Sequence, residues 1–92
     1  PAREDLAFVV PDDVPAAELA DALTDAAGDL LEQLWLFDVY TGPQVGDGRK
    51  SLAYSVTLRA PDRTLTVDEL SRVRSAMVDA ASKRVGAELR SG

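Results

Sequence analysis

The segment from Ser51 to Arg59 alternates between two kinds of side chain. The large apolar set is Leu52, Tyr54, Val56 and Leu58, and the small, mostly polar set is Ser51, Ala53, Ser55 and Thr57. Successive side chains of a strand point to opposite faces of a sheet. The pattern therefore predicts a strand with one face packed in a core and the other face open. A chain built around this strand must cover one side of its sheet and leave the other accessible.

Three further segments have the character of strands: Asp5–Val10, Leu30–Tyr40 and Ala87–Arg90. Alternation divides part of the second segment into two sets, Trp35 with Phe37 and Val39, and Leu36 with Asp38 and Tyr40. The first set is wholly apolar, so we expect it in the core. The second set ends in a carboxylate and a phenol, which a buried face would carry only if both found polar partners. We expect this second set on the open face.

Two other segments carry apolar residues at helical spacing, Ala16–Ala27 and Leu70–Val85. Gly28 suits the end of the first helix. Thr66 and Glu69 have the spacing of a capping box at the start of the second. The order strand, helix, strand, strand, helix, strand predicts one α+β domain over residues 1–92. Its expected fold is a ferredoxin-like βαββαβ sandwich, a four-stranded antiparallel sheet with both helices on one face.

This fold predicts which strand residues lie under the helices and which lie on the open face. The expected core residues are Leu6, Phe8, Val10, Trp35, Phe37, Val39, Leu52, Tyr54, Val56 and Leu58. The expected open-face residues are Ala7, Val9, Leu36, Asp38, Tyr40, Ser51, Ala53, Ser55 and Thr57.

Composition excludes several kinds of chemistry. The chain has no Cys, His or Asn, so it lacks a thiolate nucleophile, Cys-based metal sites and the commonest general base. No segment approaches the length of a membrane-spanning helix, and no secretory signal is present. A cytosolic setting fits this composition. Because the sequence opens at Pro1 without an initiator Met, we expect a fragment of a longer protein.

Charge divides unevenly along the chain, whose net charge is −6. Residues 1–48 contain one basic and eleven acidic residues, whereas residues 49–92 contain nine basic and five acidic ones. The overall charge argues against simple electrostatic binding of nucleic acid, but the second half can supply phosphate contacts. An uneven solvated surface explains the same distribution.

The open face suits single-stranded nucleic acid, whose unstacked bases lie on aromatic rings and bond to neighbouring polar groups. Tyr40 would stack, Asp38 would accept from a base edge such as that of guanine, Ser51 would offer a hydroxyl, and Ala7 would leave room for the base. Two plainer interpretations stay open. Tyr40 can be a packing contact at a sheet edge, and Asp38 can hold the glycine-rich loop 41–48 through its backbone N–H groups.

Five motifs together resemble one family, the ferredoxin-fold anticodon-binding domain at the end of the beta subunit of bacterial phenylalanyl-tRNA synthetase. The motifs are Asp5-Leu6-Ala7, Leu36-Phe37-Asp38-Val39-Tyr40-Thr41-Gly42, Gly48-Arg49-Lys50-Ser51-Leu52-Ala53-Tyr54, Arg63-Thr64-Leu65-Thr66-Val67-Asp68-Glu69 and Leu89-Arg90. They occur in the family's order and cover nearly the whole chain. One departure is Glu4, where the family usually has Arg; Arg3 lies one place earlier.

The resemblance implies the fold predicted above and binding of the anticodon stem-loop of tRNA-Phe. It implies that Ala7, Asp38, Tyr40 and Ser51 contact the first anticodon base, with Tyr40 stacking. The domain itself would perform no chemistry and hold no metal or cofactor. The parent enzyme would be a cytoplasmic ligase that uses ATP and Mg²⁺ in its other domains. Its partners would be the rest of the beta subunit and the alpha subunit, in a heterotetramer.

Two other functions fit the same fold. An acylphosphatase-like hydrolase needs an Asn to place its water, and the absence of Asn counts heavily against it. A regulatory or dimerisation module would pair its open face with another subunit through Val9, Leu36 and Ala53.

Overall fold

Four strands and two helices follow one another in the predicted order. The computed structural model describes residues 1–92. Its elements are β1 (Ala2–Pro11), α1 (Ala16–Ala27), a 3-10 turn (Gly28–Leu30), β2 (Leu31–Tyr40), β3 (Arg49–Leu58), α2 (Val67–Val85) and β4 (Glu88–Ser91). The sheet has the strand order β2-β3-β1-β4, and every neighbouring pair is antiparallel. The predicted ferredoxin-like α+β fold is confirmed. Neither helix has the length and apolar character needed to cross a bilayer.

Local signals at the ends of α2 act as the sequence predicts. The Thr66 hydroxyl accepts a hydrogen bond from the Glu69 backbone N–H, and the Glu69 carboxylate accepts one from the Thr66 backbone N–H. That backbone hydrogen bond, followed by the ion pair with Arg63, lowers the pKa of Glu69. Gly86 ends the helix in the left-handed conformation, with φ of 69°. The start and end of α2 are therefore fixed by local chemistry as well as by packing.

Both helices pack on one face of the sheet. Leu19 and Leu23 of α1 and Met77 and Ala81 of α2 share one buried cluster with the apolar side of the two central strands. The strand members of that cluster are Leu6, Phe8, Val10, Leu52, Tyr54, Val56 and Leu58. All seven were expected in the core from alternation. Their burial fixes which side of β1 and β3 meets the helices.

The face predicted for part of β2 is wrong. Trp35 and Phe37, expected in the core, are 59% and 46% exposed. Leu36, expected on the open face, pairs with Tyr54 and packs against the core. Val39 pairs with the core residue Leu52 but is 56% exposed at the sheet edge, so it is not a core residue either.

A bulge in β2 explains the error. Leu36 pairs with Tyr54 and Asp38 pairs with the next residue of β3, Ala53, so Phe37 is an extra residue between two register positions. A residue inserted into one strand shifts the alternation by one position. The residues before the bulge and those after it therefore no longer follow a single alternating pattern. Strict alternation, extended back from Asp38, therefore assigns Leu36 and Trp35 to the wrong sides while Asp38 and Tyr40 stay on the open face.

The buried phenol of Tyr54 yields a stability prediction. Its hydroxyl donates a hydrogen bond to the Ala16 carbonyl oxygen at 2.8 Å, and burial raises its pKa to about 12. Tyr54→Phe should lower the free energy of unfolding by about 1 kcal/mol, because it removes that hydrogen bond. The raised pKa means that the unfolded chain loses the phenolic proton first. The stabilisation from the protonated, buried phenol is therefore complete below about pH 10 and is lost as the pH rises towards 12.

Urea denaturation at pH 8 and at pH 11 measures both effects. The wild type should lose more stability between the two pH values than Tyr54→Phe does. Tyr40→Phe is the matched control at the chain's other tyrosine, and at pH 8 it should stay within about 0.5 kcal/mol of the wild type. Equal losses in wild type and Tyr54→Phe would contradict the assigned role of burial.

Candidate nucleic-acid interface

The sheet face opposite the helices, called here the open face, is defined by strand register. Residues directly paired across neighbouring strands point to the same side. The open-face residues are Arg3, Asp5, Ala7 and Val9 of β1, Gln33, Trp35, Asp38 and Tyr40 of β2, Arg49, Ser51, Ala53, Ser55 and Thr57 of β3, and Glu88 and Ser91 of β4.

All four residues predicted to contact a base lie on this face, in two adjacent rows. One row runs Ala7, Ala53, Asp38 across three strands, and the next runs Val9, Ser51, Tyr40. Because neighbouring strands lie about 4.8 Å apart, each row is roughly 10 Å wide. The structure therefore places the four predicted side chains within one small region of the open face.

A depression of about 400 Å³ occupies this region. Ala7, Asp38 and Ser51 line it, whereas Tyr40 lies beside it. Its other lining residues are Asp5, Leu6, Phe37, Ala53, Arg90 and Ser91. Ser51 and Ala53 are only 3% and 8% exposed although no helix covers them, because they are short residues of a central strand with another strand on each side. Small residues thus form a floor and longer ones form walls, which leaves room for a flat group.

Asp38 is an unoccupied acceptor at the edge of the depression. It is exposed and takes part in none of the side-chain hydrogen bonds or ion pairs of the chain. The glycine-rich loop is closed instead by its own backbone, where the Val45 N–H donates to the Gly42 carbonyl oxygen at 3.2 Å. The interpretation that Asp38 holds this loop is therefore not supported, and both carboxylate oxygens are free to accept from a ligand.

The ring of Tyr40 is held in place from two sides. The Arg90 guanidinium lies over it, 5.2 Å from the ring centroid, and donates a hydrogen bond to Gln44 Oε1 at 2.8 Å. On another side, Gly42 lies so close that a Cβ there would overlap the Tyr40 hydroxyl and approach ring atom Cζ to 2.7 Å. Tyr40 and Arg90 start from opposite edge strands of the sheet, so their contact spans the open face.

Arg90, which lines the depression, and Arg3, elsewhere on the open face, are basic residues that pattern reasoning did not place there. Arg90 is the extra residue of a bulge in β4, between Leu89 paired with Phe8 and Ser91 paired with Ala7. Leu89 faces the core, and successive residues of a strand alternate between faces, so the position after Leu89 predicts that Arg90 lies on the open face. Arg3 donates from Nε to the Ser55 hydroxyl at 2.9 Å, and thereby lies along the same face.

Glu4, where the resembled family usually has Arg, lies on the other side of the sheet. It pairs with Val56, a residue of the helix-covered face, whereas Arg3 pairs with Thr57 on the open face. The departure at Glu4 therefore leaves the charge of the open face unchanged.

The open face has balanced charge, although the chain as a whole is acidic. Arg3, Arg49 and Arg90 are balanced there by Asp5, Asp38 and Glu88. Many of the acids lie elsewhere, and residues 12–29 around α1 contain six acids and no basic residue. The repulsion that a net charge of −6 would impose on a phosphate backbone is thus concentrated away from the candidate site.

Residues 1–90 match the protein family described as the ferredoxin-fold anticodon binding domain. The chain belongs to this family. The resemblance inferred from the five motifs is therefore confirmed, and the family assignment identifies an anticodon-binding domain rather than a catalytic one.

Similar curated proteins are phenylalanine-tRNA ligase beta subunits. The chain is 61% identical over 89 residues to that of Thermobifida fusca, covering 97% of this chain and 11% of the relative. It is 56% identical over 87 residues to that of Mycolicibacterium paratuberculosis, covering 95% of this chain and 10% of the relative. The chain thus spans about one tenth of the length of the relatives it matches.

The close approach of Gly42 to Tyr40 gives a prediction about the site. Gly42→Ala should push the Tyr40 ring away and break its contact with the Arg90 guanidinium, because the added methyl group overlaps the hydroxyl. NMR would show this as a shift of the Arg90 side-chain resonances towards those of a free arginine, as they leave the ring current.

Gly46→Ala is the matched control in the same loop. An added Cβ at Gly46 meets nothing within 4 Å, although its φ of 89° makes that substitution strained as well. Gly46→Ala should lower stability without moving the Arg90 resonances. Unchanged Arg90 resonances in Gly42→Ala would show that Gly42 does not restrain the Tyr40 ring.

Proposed function

We propose that this domain binds the anticodon stem-loop of tRNA-Phe through its open face, as part of a phenylalanyl-tRNA synthetase beta subunit. One observation carries the proposal. An aromatic ring, Tyr40, and an unpaired acceptor, Asp38, stand together beside a floor of small residues on a sheet face that no helix covers. Single-stranded RNA is recognised by this combination of stacking and base-edge hydrogen bonding.

Each of these residues makes a different contact with one unstacked base. Tyr40 provides the stacking surface, and Arg90 on the ring adds a cation to the same platform. Asp38 accepts from the N1–H and N2–H₂ groups of guanine, which adenine does not present in that arrangement. The Ser51 hydroxyl makes a further polar contact, and the methyl group of Ala7 leaves space for the base.

The same proposal assigns the domain a positioning role in a larger enzyme. The parent ligase activates phenylalanine with ATP and Mg²⁺ in domains outside this chain, and works in the cytoplasm as a heterotetramer with the alpha subunit. Holding the anticodon fixes the orientation of the tRNA, so that its acceptor end reaches the distant active site. The identity with ligase beta subunits supports this assignment.

Removing the stacking ring tests the site. Tyr40→Ala should weaken binding of a tRNA-Phe anticodon stem-loop by about 1–3 kcal/mol, the usual contribution of one stacked base. An NMR titration of the domain with this RNA measures the affinity, and the wild-type shifts should cluster on Ala7, Asp38, Tyr40 and Ser51. Val67→Ala, at a residue that is 82% exposed on α2, is the control and should bind as the wild type does. Unchanged affinity in folded Tyr40→Ala would refute the role of Tyr40.

The choice of base is tested at the carboxylate. Asp38→Asn keeps the shape of the side chain but replaces one acceptor oxygen with an NH₂ donor. It should reduce the preference for guanine over adenine at the first anticodon position by about 1–3 kcal/mol, the usual discrimination of one bidentate contact. The measurement compares two hairpins that differ only at that base. If Asp38→Asn weakens both hairpins equally, Asp38 does not read the base.

A further inference from the structure

Two large aromatic side chains outside the predicted site are exposed. Trp35 is 59% exposed and Phe37 is 46% exposed, and their ring centroids are 6.5 Å apart with the ring planes inclined at 54°. At that inclination the rings do not stack face to face on each other. Neither belongs to the core, so packing of the domain does not account for them.

The two rings extend the candidate site along the edge strand. Phe37 is itself part of the lining of the depression that contains Asp38. Trp35 pairs with Ser55, whereas Tyr40 pairs with Ser51, so the two aromatic positions are four residues apart along β3. At about 3.3 Å per residue this separation is roughly 13 Å. Because Phe37 lines the depression and its ring centroid lies 6.5 Å from that of Trp35, the aromatic surface continues from the depression to Trp35.

A cation is held at the strand next to Trp35. Arg3 bonds through Nε to the hydroxyl of Ser55, the residue paired with Trp35, and its side chain is 67% exposed. Its contact with Asp5 is long, at 3.9 Å. The remaining guanidinium N–H groups are therefore available to a phosphate next to the tryptophan ring. Grooves that bind single-stranded nucleic acid combine exposed aromatic side chains with neighbouring cations in this way.

We propose that Trp35 and Phe37 form a second stacking position, which takes a nucleobase of the same RNA loop as the base held at Tyr40. Arg3 would contact the backbone phosphate next to this second base. This inference rests on the proposed function, because it requires an RNA loop on the open face. A protein partner is the competing occupant of exposed aromatics. RNA is favoured because, apart from Phe37, the open-face residues in the row of Trp35 and in the next row away from Tyr40 are polar or charged: Ser55 and Asp5 in its own row, and Gln33, Thr57 and Arg3 in the next.

Tryptophan fluorescence reports on this position alone, because Trp35 is the only tryptophan of the chain. Titration of the 92-residue chain with the tRNA-Phe anticodon stem-loop should quench the emission of Trp35 as a base stacks on it. NMR titration measures the affinity of Trp35→Leu, which has no tryptophan to report on. This variant should bind the hairpin about 5- to 150-fold more weakly than the wild type, since it loses one stacked base. Val67→Ala, exposed but on α2, should bind normally.

Abasic hairpins distinguish stacking from a general effect. Two hairpins are used. One lacks the base on the 5′ side of the first anticodon base, and the other lacks the base on its 3′ side. One of these changes should weaken the wild type by the same factor as Trp35→Leu, and should weaken Trp35→Leu itself no further. Additive losses would overturn the proposal, because the base and the ring would then act independently.

The remaining outcomes separate this inference from the proposed function. If Tyr40→Ala weakens binding but Trp35→Leu does not, the second position is refuted while anticodon binding stands. If neither variant changes the affinity, the open face is not the RNA site and both proposals fail. If Trp35→Leu leaves RNA binding intact but weakens association of the domain with the rest of a ligase beta subunit, the aromatic pair is a protein contact and the proposal is overturned.

Discussion

The two-sided character of β3 is the constraint on which the rest of the structure depends. Its large apolar residues fill the space under both helices, and its small residues form the floor of the open face. A larger residue at Ala53 would fill the depression, and a polar residue at Val56 would lie unpaired in the core. The same strand therefore fixes the stability of the domain and the shape available to a ligand, because its two faces alternate through a single backbone.

Local periodicity predicts most of this fold because most of its elements are regular. The capping box at Thr66, the stop at Gly86 and the alternation of β3 are each decided by residues close together in sequence. The bulge at Phe37 is different, because it depends on how β2 pairs with β3 rather than on β2 alone. Nothing in the local sequence marks the inserted residue, so alternation carried across it exchanges the sides of Trp35 and Leu36.

The predicted base-contacting residues nevertheless occupy one region, for a physical reason. Asp38 and Tyr40 lie on the C-terminal side of the bulge, where the alternation is unbroken, and Ala7 and Ser51 lie on regular central strands. The position of Arg90 next to the core-facing Leu89 predicts its face, but its contact with Tyr40 escaped prediction because the side chain reaches across the sheet from the other edge strand. Contacts made over a distance by long, flexible side chains leave no periodic signal.

The contact between Arg90 and Tyr40 joins the two outer strands of the sheet, which share no backbone hydrogen bonds. Gly42 restrains the ring from within its own strand and loop, but the contact with Arg90 forms only when β4 has docked beside β1. The complete restraint of the ring is therefore a property of the finished sheet. A side chain already restrained in this way loses little further rotational freedom when a base arrives. The opposite edge strand thus helps to preorganise the Tyr40 ring for binding. A substitution confined to β4 would therefore alter the site although every residue of β2 is unchanged.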